Sequence, residues 1–414
     1  MRWFNWFLLV FVGLTLLWVN TALYRPNYQG VVVRDDIKKQ LNFLEDELKN
    51  NRLGEKMQAI YPEGYVFIYA LYGLSQAEIS LDPQANSTSV KEALAEAVFA
   101  FDKIDQKETR YTFSPDMSPA YGIYYQGWRN YLLAKILSND LPFDDRARYE
   151  SLFSESCDLI AQALKNAESP FLPSYPDQAW PADSFLAMAS LSLHDQHYPP
   201  QYKQDIQRWI EQVRVRLDKS NGMIPHKTFP ETGKTLEPPR GGSMALMLRL
   251  LAEIDDDFAS DQFQLFRANF SGAALGLPMV REYPHGNFGL GDIDSGPVIL
   301  GTGFAATIVS IGTYQVFGQQ ALAERQFRTV HAFGLSQSND KTRTYLLGAL
   351  PMADAFIVWS RLAPGALSAD DVTHTSAFFW KFHGLSLIII LLIALPLYKR
   401  KIRGWIRKVS PQRS

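Results

Sequence analysis

Apolar and polar positions along this chain fall into six repeats of one unit. A loop rich in Pro, Gly and charge runs abruptly into a helix that is apolar on nearly every side. A more polar helix with a single apolar stripe separates it from the next. The units open with Tyr-Pro-Glu-Gly at Tyr61, Ser-Pro-Ala-Tyr at Ser118, Tyr-Pro-Asp-Gln at Tyr175, Glu-Pro-Pro-Arg at Glu237, Gly-Asp-Ile-Asp at Gly291 and Lys-Thr-Arg-Thr at Lys341. A helix that is apolar all round is buried all round, whereas a striped one lies between core and solvent. The pattern therefore predicts six inner and six outer helices.

The spacing places the inner helices over 64–80, 121–137, 183–194, 242–254, 297–317 and 345–359. The outer ones fall over 33–49, 89–104, 144–167, 201–217, 261–274 and 320–333. Ile37, Leu41, Leu44 and Leu48 show the outer pattern, apolar at every third or fourth place. Ser89 followed by Glu92 reads as a capping box at the second outer helix. Strand-like alternation is almost absent. Loops entering the inner helices are long, as in 219–240 and 275–295, and such loops in a compact domain are usually functional. No linker divides residues 30–360, so they read as one domain.

Two segments lie outside it. Residues 3–23 are apolar apart from Asn5, Asn20 and two threonines, about the ~20 residues a spanning helix needs. Trp18-Val-Asn-Thr-Ala22 is a poor signal-peptidase site, which favours an uncleaved anchor. Residues 377–398 contain Gly384-Leu-Ser-Leu-Ile-Ile-Ile-Leu-Leu-Ile-Ala-Leu-Pro-Leu-Tyr398. The tail 399–414 carries Lys399, Arg400, Lys401, Arg403, Arg407 and Lys408, against Lys381 on the opposite flank. The positive-inside rule places that tail in the cytoplasm. With two spans both termini are cytoplasmic and residues 30–360 lie outside, an arrangement suited to the periplasmic side of a bacterial inner membrane.

Composition narrows the chemistry. The 414 residues carry a formal net charge of −2, which gives no case for a nucleic-acid partner. A single cysteine, Cys157, excludes an internal disulfide framework and any CxxC zinc site. No HExxH, P-loop, GxSxG elbow or strand-led GxGxxG occurs, so neither a metal nor another cofactor is expected.

The alternation of inner and outer helices resembles the (α/α)6 toroid, the six-hairpin fold of many glycoside hydrolases, polysaccharide lyases and sugar epimerases. The resemblance covers residues 30–360 and rests on the helix count. It implies an active cleft at the N-terminal ends of the inner helices and a glycan as substrate.

Four groups of residues stand at those helix starts. Gly289-Leu-Gly-Asp292-Ile-Asp294-Ser-Gly-Pro297 places two carboxylates just before a proline suited to a first helical turn. One would cap the helix and the other would face the cleft; capping alone is the simpler alternative. Tyr175-Pro-Asp177-Gln-Ala-Trp180-Pro-Ala-Asp183 puts Asp183 inside the first turn of an apolar helix, where a carboxylate must be capped, paired or working. Asp177 and Trp180 on its approach suit a sugar, the acid for hydroxyls and the ring for stacking. Tyr61-Pro-Glu63-Gly-Tyr65 mirrors that loop, and Tyr283-Pro-His285 is a third Tyr-Pro with a histidine in the acid's place. Arg240-Gly-Gly-Ser243 suits an anion or an ion pair with Asp183 or Asp292.

The sequence thus nominates Asp183, Asp292, Asp294, Asp177, Glu63 and His285 for catalysis, and Trp180, Tyr121, Arg240, Tyr283 and Tyr65 for substrate binding. An inverting hydrolase would use Asp183 and Asp292 as its pair. A lyase would use His285 or Tyr283 as base, with Arg240 neutralising a uronate. Two other functions fit the same chain. One is a non-catalytic assembly factor presenting its rim to an envelope protein. The other is a toroid enzyme on an isoprenoid or lipid substrate, similar to linalool dehydratase-isomerase, which the lone Cys157 on an outer helix disfavours.

Overall fold

In the computed structural model, residues 2–25, 31–363 and 379–409 are described. Sixteen α-helices occur among them. They are α1 (Arg2–Ala22), α2 (Val31–Asn50), α3 (Leu53–Ile60), α4 (Gly64–Ser80), α5 (Ser87–Asp105), the single turn α6 (Lys107–Arg110), α7 (Gly122–Leu137) and α8 (Arg146–Asn166). There follow α9 (Pro181–His197), α10 (Lys203–Arg214), α11 (Gly241–Leu251), α12 (Asp256–Phe270), α13 (Phe304–Val316), α14 (Gln320–Phe333), α15 (Pro351–Arg361) and α16 (Trp380–Val409).

Six of them form a closed ring. Helix α4 packs on α7, α7 on α9, α9 on α11, α11 on α13, α13 on α15, and α15 returns to α4. The outer layer sits over this ring, with α5 on α4, α8 on α7 and α9, α10 on α9, α12 on α11, α14 on α13 and α2 on α15. The chain is therefore an (α/α)6 toroid. The burial follows the pattern of the sequence: every residue of α7 is buried, whereas α10 buries only Ile206, Trp209, Ile210 and Val213. The ring closes through polar ties as well as packing. Asp36 of α2 holds Arg343 and, at 2.7 Å, Arg361, and Gln40 reaches Asp354 at 3.0 Å.

One end of the ring is plugged by charge. Lys135 of α7 pairs with Glu253 at 2.6 Å and lies 3.6 Å from Glu78 of α4. Arg249 of α11, fully buried, stands 3.6 Å from Glu78, donates to the Trp359 carbonyl at 2.8 Å and stacks on that indole at 3.7 Å. Two cations and two anions fill the axis at the C-terminal ends of the inner helices. The cleft is thereby confined to the N-terminal ends, where the long loops lie.

Four short antiparallel hairpins decorate those loops: β1–β2 (Lys227–Thr228 and Thr235–Glu237), β3–β4 (Ser271–Ala274 and Leu277–Val280), β5–β6 (Val298–Ile299 and Thr302–Gly303) and β7–β8 (Gln337–Ser338 and Arg343–Thr344). They correct two helix starts. The predicted helix over 297–317 begins at Phe304, because Gly296, Leu300 and Gly301 take positive φ and turn the chain back on itself. The helix predicted from Tyr345 begins at Pro351, after a short turn that Leu347 interrupts at φ 59°. The cap of α5 is Asn86, whose side chain accepts from the Ser89 amide at 2.9 Å, not Ser89 itself.

The two flanking segments are helical. Helix α1 packs on α14 and α16. Its Asn20 donates to Ser386 at 3.0 Å and meets His383, and the Tyr24 hydroxyl lies 2.6 Å from His383 Nε2. Among the described residues no helix is long and apolar enough to cross a membrane. Helix α16 continues into the basic stretch to Val409, and the remaining tail residues, 410–414, lie outside the described residues.

Candidate active site

Three carboxylates from three ring segments lie near enough to act on one another's charge, Asp183 buried and Asp294 exposed on its loop. Asp183 comes from the first turn of α9, Glu63 from the residue before α4, and Asp294 from the loop between β4 and β5. Asp183 is 7% exposed. It accepts from the Ser174 hydroxyl at 2.6 Å, and the Trp128 indole, whose Nε1 has no well-formed partner, bears on the same carboxylate. Burial is the largest influence on it, and the charges of Glu63 and Asp294 add to it. Together they push Asp183 up to about 7, against the two donors that favour the anion. A carboxyl group in that state holds its proton near neutral pH.

Tyrosines line this acidic centre. Tyr175 donates its hydroxyl to Glu63 at 2.8 Å, tying the third approach loop to the first. The Tyr124 hydroxyl is buried without a hydrogen-bond partner, and burial followed by the charge of Glu63 raises its pKa. A buried unpaired hydroxyl beside three carboxylates is a costly arrangement unless a ligand completes it. Phe67, Trp128 and Phe356 make the floor, with Phe67 4.8 Å from Trp128 and 5.1 Å from Phe356.

Asp292 does a different job. Its carboxylate pairs with Arg240 and accepts from the amides of Asp294 at 3.2 Å and Ser295 at 3.0 Å. Those donors outweigh its burial and hold it down at about 2. Arg240 also grips Glu237 at 2.6 Å and lies over the Tyr283 ring at 5.6 Å. The Asp292–Arg240 pair thus pins the loop that delivers Asp294. Neither aspartate caps a helix, because α13 starts nine or more residues further on.

The other nominated residues spread around the rim. Trp180 meets Tyr175 edge-on at 5.7 Å and carries Lys227 over its face at 4.6 Å. Asp177 is exposed at the tip of the Tyr175–Gln178 turn. Tyr121 ends the loop before α7 with φ 69° and packs on Tyr125 at 6.0 Å. Tyr65 turns away from the acidic centre, against Tyr69 at 4.8 Å and Gly54 of α3. His285 is exposed, its Nε2 3.1 Å from the Ser271 carbonyl. Cys157 is buried in α8, and burial pushes its thiol up to about 12.

Glu282 was missed. It is 2% exposed, its Oε2 has no hydrogen-bond partner of good geometry, and Gly242 and Gly303 leave it the space it occupies. Burial is the main cause that raises it to about 8, and Asp292 and Asp294 contribute. Its signal in the sequence was an acid following the fully buried strand Leu277–Val280.

These groups make stability depend on pH. Asp183 and Asp354, both at about 7, and Glu282 at about 8 are raised by burial above their unfolded values near 4. The folded state then binds more protons, and stability falls as pH rises through that window. His226 and His331, lowered by burial to about 3 and about 4, act in the opposite sense below about 6.5. The three acids act unopposed above pH ~6.5. The melting temperature is therefore expected to drop most steeply between pH ~6.5 and ~8, and Glu282→Gln should flatten the drop. A flat profile across that range would contradict the protonated state of these acids.

No protein-family model matches the chain. No curated protein matches it. Solved structures do share its shape. A GH76 alpha-mannanase of Bacteroides thetaiotaomicron matches at 12% identity and a TM-score of 0.45, over 73% of this chain and 86% of that one. An unsaturated glucuronyl hydrolase of Bacillus sp. GL1, named as responsible for glycosaminoglycan degradation, matches at 12% identity and 0.44, over 73% and 85%. A D-mannose isomerase matches at 8% identity and 0.44, over 85% and 97%. At that level of likeness nothing about activity passes from them to this chain.

Proposed function

We propose that the chain is a glycan-cleaving enzyme of the glycoside-hydrolase type, held at a bilayer by α1 and α16. The observation that carries this reading is the convergence of Asp183, Glu63 and Asp294 around a buried unpaired tyrosine hydroxyl, with Asp183 holding a proton near neutral pH. Hydrolysis of a glycosidic bond needs one carboxyl group that gives a proton to the leaving oxygen and a second that activates water or attacks the sugar. Asp183 supplies the proton. Glu63, fixed by Tyr175, is the second group, and Asp294 at the lip of the cleft takes sugar hydroxyls. Trp180 offers a stacking face beside them.

Membrane attachment is supported by the faces α1 and α16 leave open. Trp3, Phe7, Phe11, Leu14 and Leu17 on one, and Leu387, Ile388, Leu391 and Leu392 on the other, are exposed. Apolar surface on that scale, on neighbouring helices, calls for an apolar surrounding. The basic residues beyond the apolar part of α16 favour a cytoplasmic C-terminus and an extracytoplasmic ring.

The reading is tested by incubating the detergent-solubilised full chain with bacterial envelope glycans and uronate polymers, following products by mass spectrometry. Products whose masses together exceed the substrate by one water mark hydrolysis, and an unsaturated product with no water added would replace this mechanism by elimination. No product across the panel from folded protein would overturn the enzyme and leave the rim as a binding surface.

A further inference from the structure

A cavity of about 460 Å³ opens beside the acidic centre, between α13, α14, α15 and the β3–β4 hairpin. Its size is that of a ligand site. Its lining is wrong for sugar alone. Met279, Ile308, Val330, Leu350 and Met352 are among its walls, and a pyranose buried there would leave hydroxyls without partners. Yet Asp294 and Tyr61 line the cavity too, and both feel the charge of neighbouring acids in the catalytic cluster. One end of the apolar space is thus shared with the reacting centre.

The opposite walls adjoin the two flanking helices. Leu277 lines the cavity and is buried with Val19, Ala22 and Leu23 at the end of α1 and with Phe379 and Phe382 at the start of α16. Phe333, also a wall, lies 6.3 Å from the Phe382 ring, and Gly276 abuts Lys381. The cavity and the two helices therefore share side chains. Three turns around the mouth carry leucine at positive φ before a glycine: Leu275-Gly276, Leu300-Gly301 and Leu347-Gly348. Asn or Asp is the favoured partner of glycine in such turns. Leucine is strained there, and all three are exposed, an arrangement that fits turn tips dipping into lipid.

We propose that this cavity receives the hydrocarbon chain of a membrane-borne glycolipid, so that the substrate is a lipid-linked glycan. The chain would pass from the bilayer between the Leu-Gly tips and leave its sugar end at Asp294. This rests on the glycan-cleaving, bilayer-held reading above, and adds what kind of glycan is taken.

The test uses the full chain in lipid nanodiscs and a hexadecyl glucoside carrying a diazirine at mid-chain. Light should cross-link it to peptides spanning 304–308 and 350–357. Ala305→Phe with Ala353→Phe, which fills the cavity, should cut labelling at least tenfold. The rim variant Leu300→Ser, at an exposed position, should also lower it. A phosphatidylcholine bearing the same diazirine on its acyl chain is the competitor for the site. Labelling by both lipids alike would overturn the proposal in favour of bulk lipid, and no labelling of these peptides would overturn it outright. Soluble glycans cleaved without labelling would sink this inference alone. Labelling without cleavage of any glycan would sink the enzymatic reading and leave the lipid site standing.

Discussion

Asp183→Asn in the full-length protein is expected to lower glycan turnover by about 10²–10⁴-fold, the range a positioned acid contributes. The substitution keeps the volume of the side chain and still accepts from Ser174, so the fold should persist. What it removes is the proton. Because burial and the two neighbouring acids raise Asp183 to about 7, the wild-type rate should fall as pH rises through that value. The same substitution carries a stability signature. Below pH ~4 the wild-type group is neutral in both the folded and the unfolded chain, so the variant and the wild type should melt alike, and the wild type should fall behind as pH rises towards 7. At pH ~8 the variant should melt higher, since no buried carboxylate has to ionise.

Asp292→Asn is the control. That carboxylate is an anion held by Arg240 at about 2 and has no proton to give at neutral pH. Its loss should loosen the loop bearing Asp294 and leave turnover within about tenfold of wild type, well short of the effect at a proton donor. Equal losses at the two positions would mean that Asp183 acts on structure and not on chemistry.

The largest stability effect is expected at the axis. Arg249→Met should destabilise the protein by about 3–5 kcal/mol, the cost of breaking a buried ion cluster by removing one partner. Arg249 is 1% exposed, and its removal leaves Glu78 with Lys135 as its nearest remaining cation, at 3.6 Å. It also leaves the Trp359 carbonyl without its donor and takes the guanidinium off the indole face. Replacing Glu78 by Leu together with Arg249→Met should recover much of the loss, because the pair then disappears together. Denaturant midpoints of the three proteins check both statements. A single variant as stable as wild type would show that the plug holds nothing.

Local pattern carried most of the architecture. The all-round apolarity of 64–80 and 121–137 was enough to place α4 and α7 inside, and the stripe of Ile206, Ile210 and Val213 to place α10 outside. Proline and glycine marked where each pair begins. Where the chain bent against its local pattern, the reading slipped. Pro297 looked like a first helical turn, but the positive φ of Gly296, Leu300 and Gly301 makes a hairpin there, and α13 waits until Phe304.

The candidate site was legible one residue at a time and not as a group. Asp183 stood out because a carboxylate in an apolar helix needs a reason. Nothing in the spacing of Glu63, Asp183 and Asp294 says that they meet, since more than a hundred residues separate each from the next. Nor could the sequence separate Asp292 from Asp294, two residues apart. Arg240, fifty-two residues away, turns the first into a fixed anion and leaves the second free to face the cleft. Glu282 escaped notice because its environment is assembled from three loops. The sequence alone determined which helices are inner, because burial is a property of the pattern within each helix. The tertiary structure alone decided which acids share a cleft and hold a proton, because a pKa depends on neighbours brought together by closure of the ring.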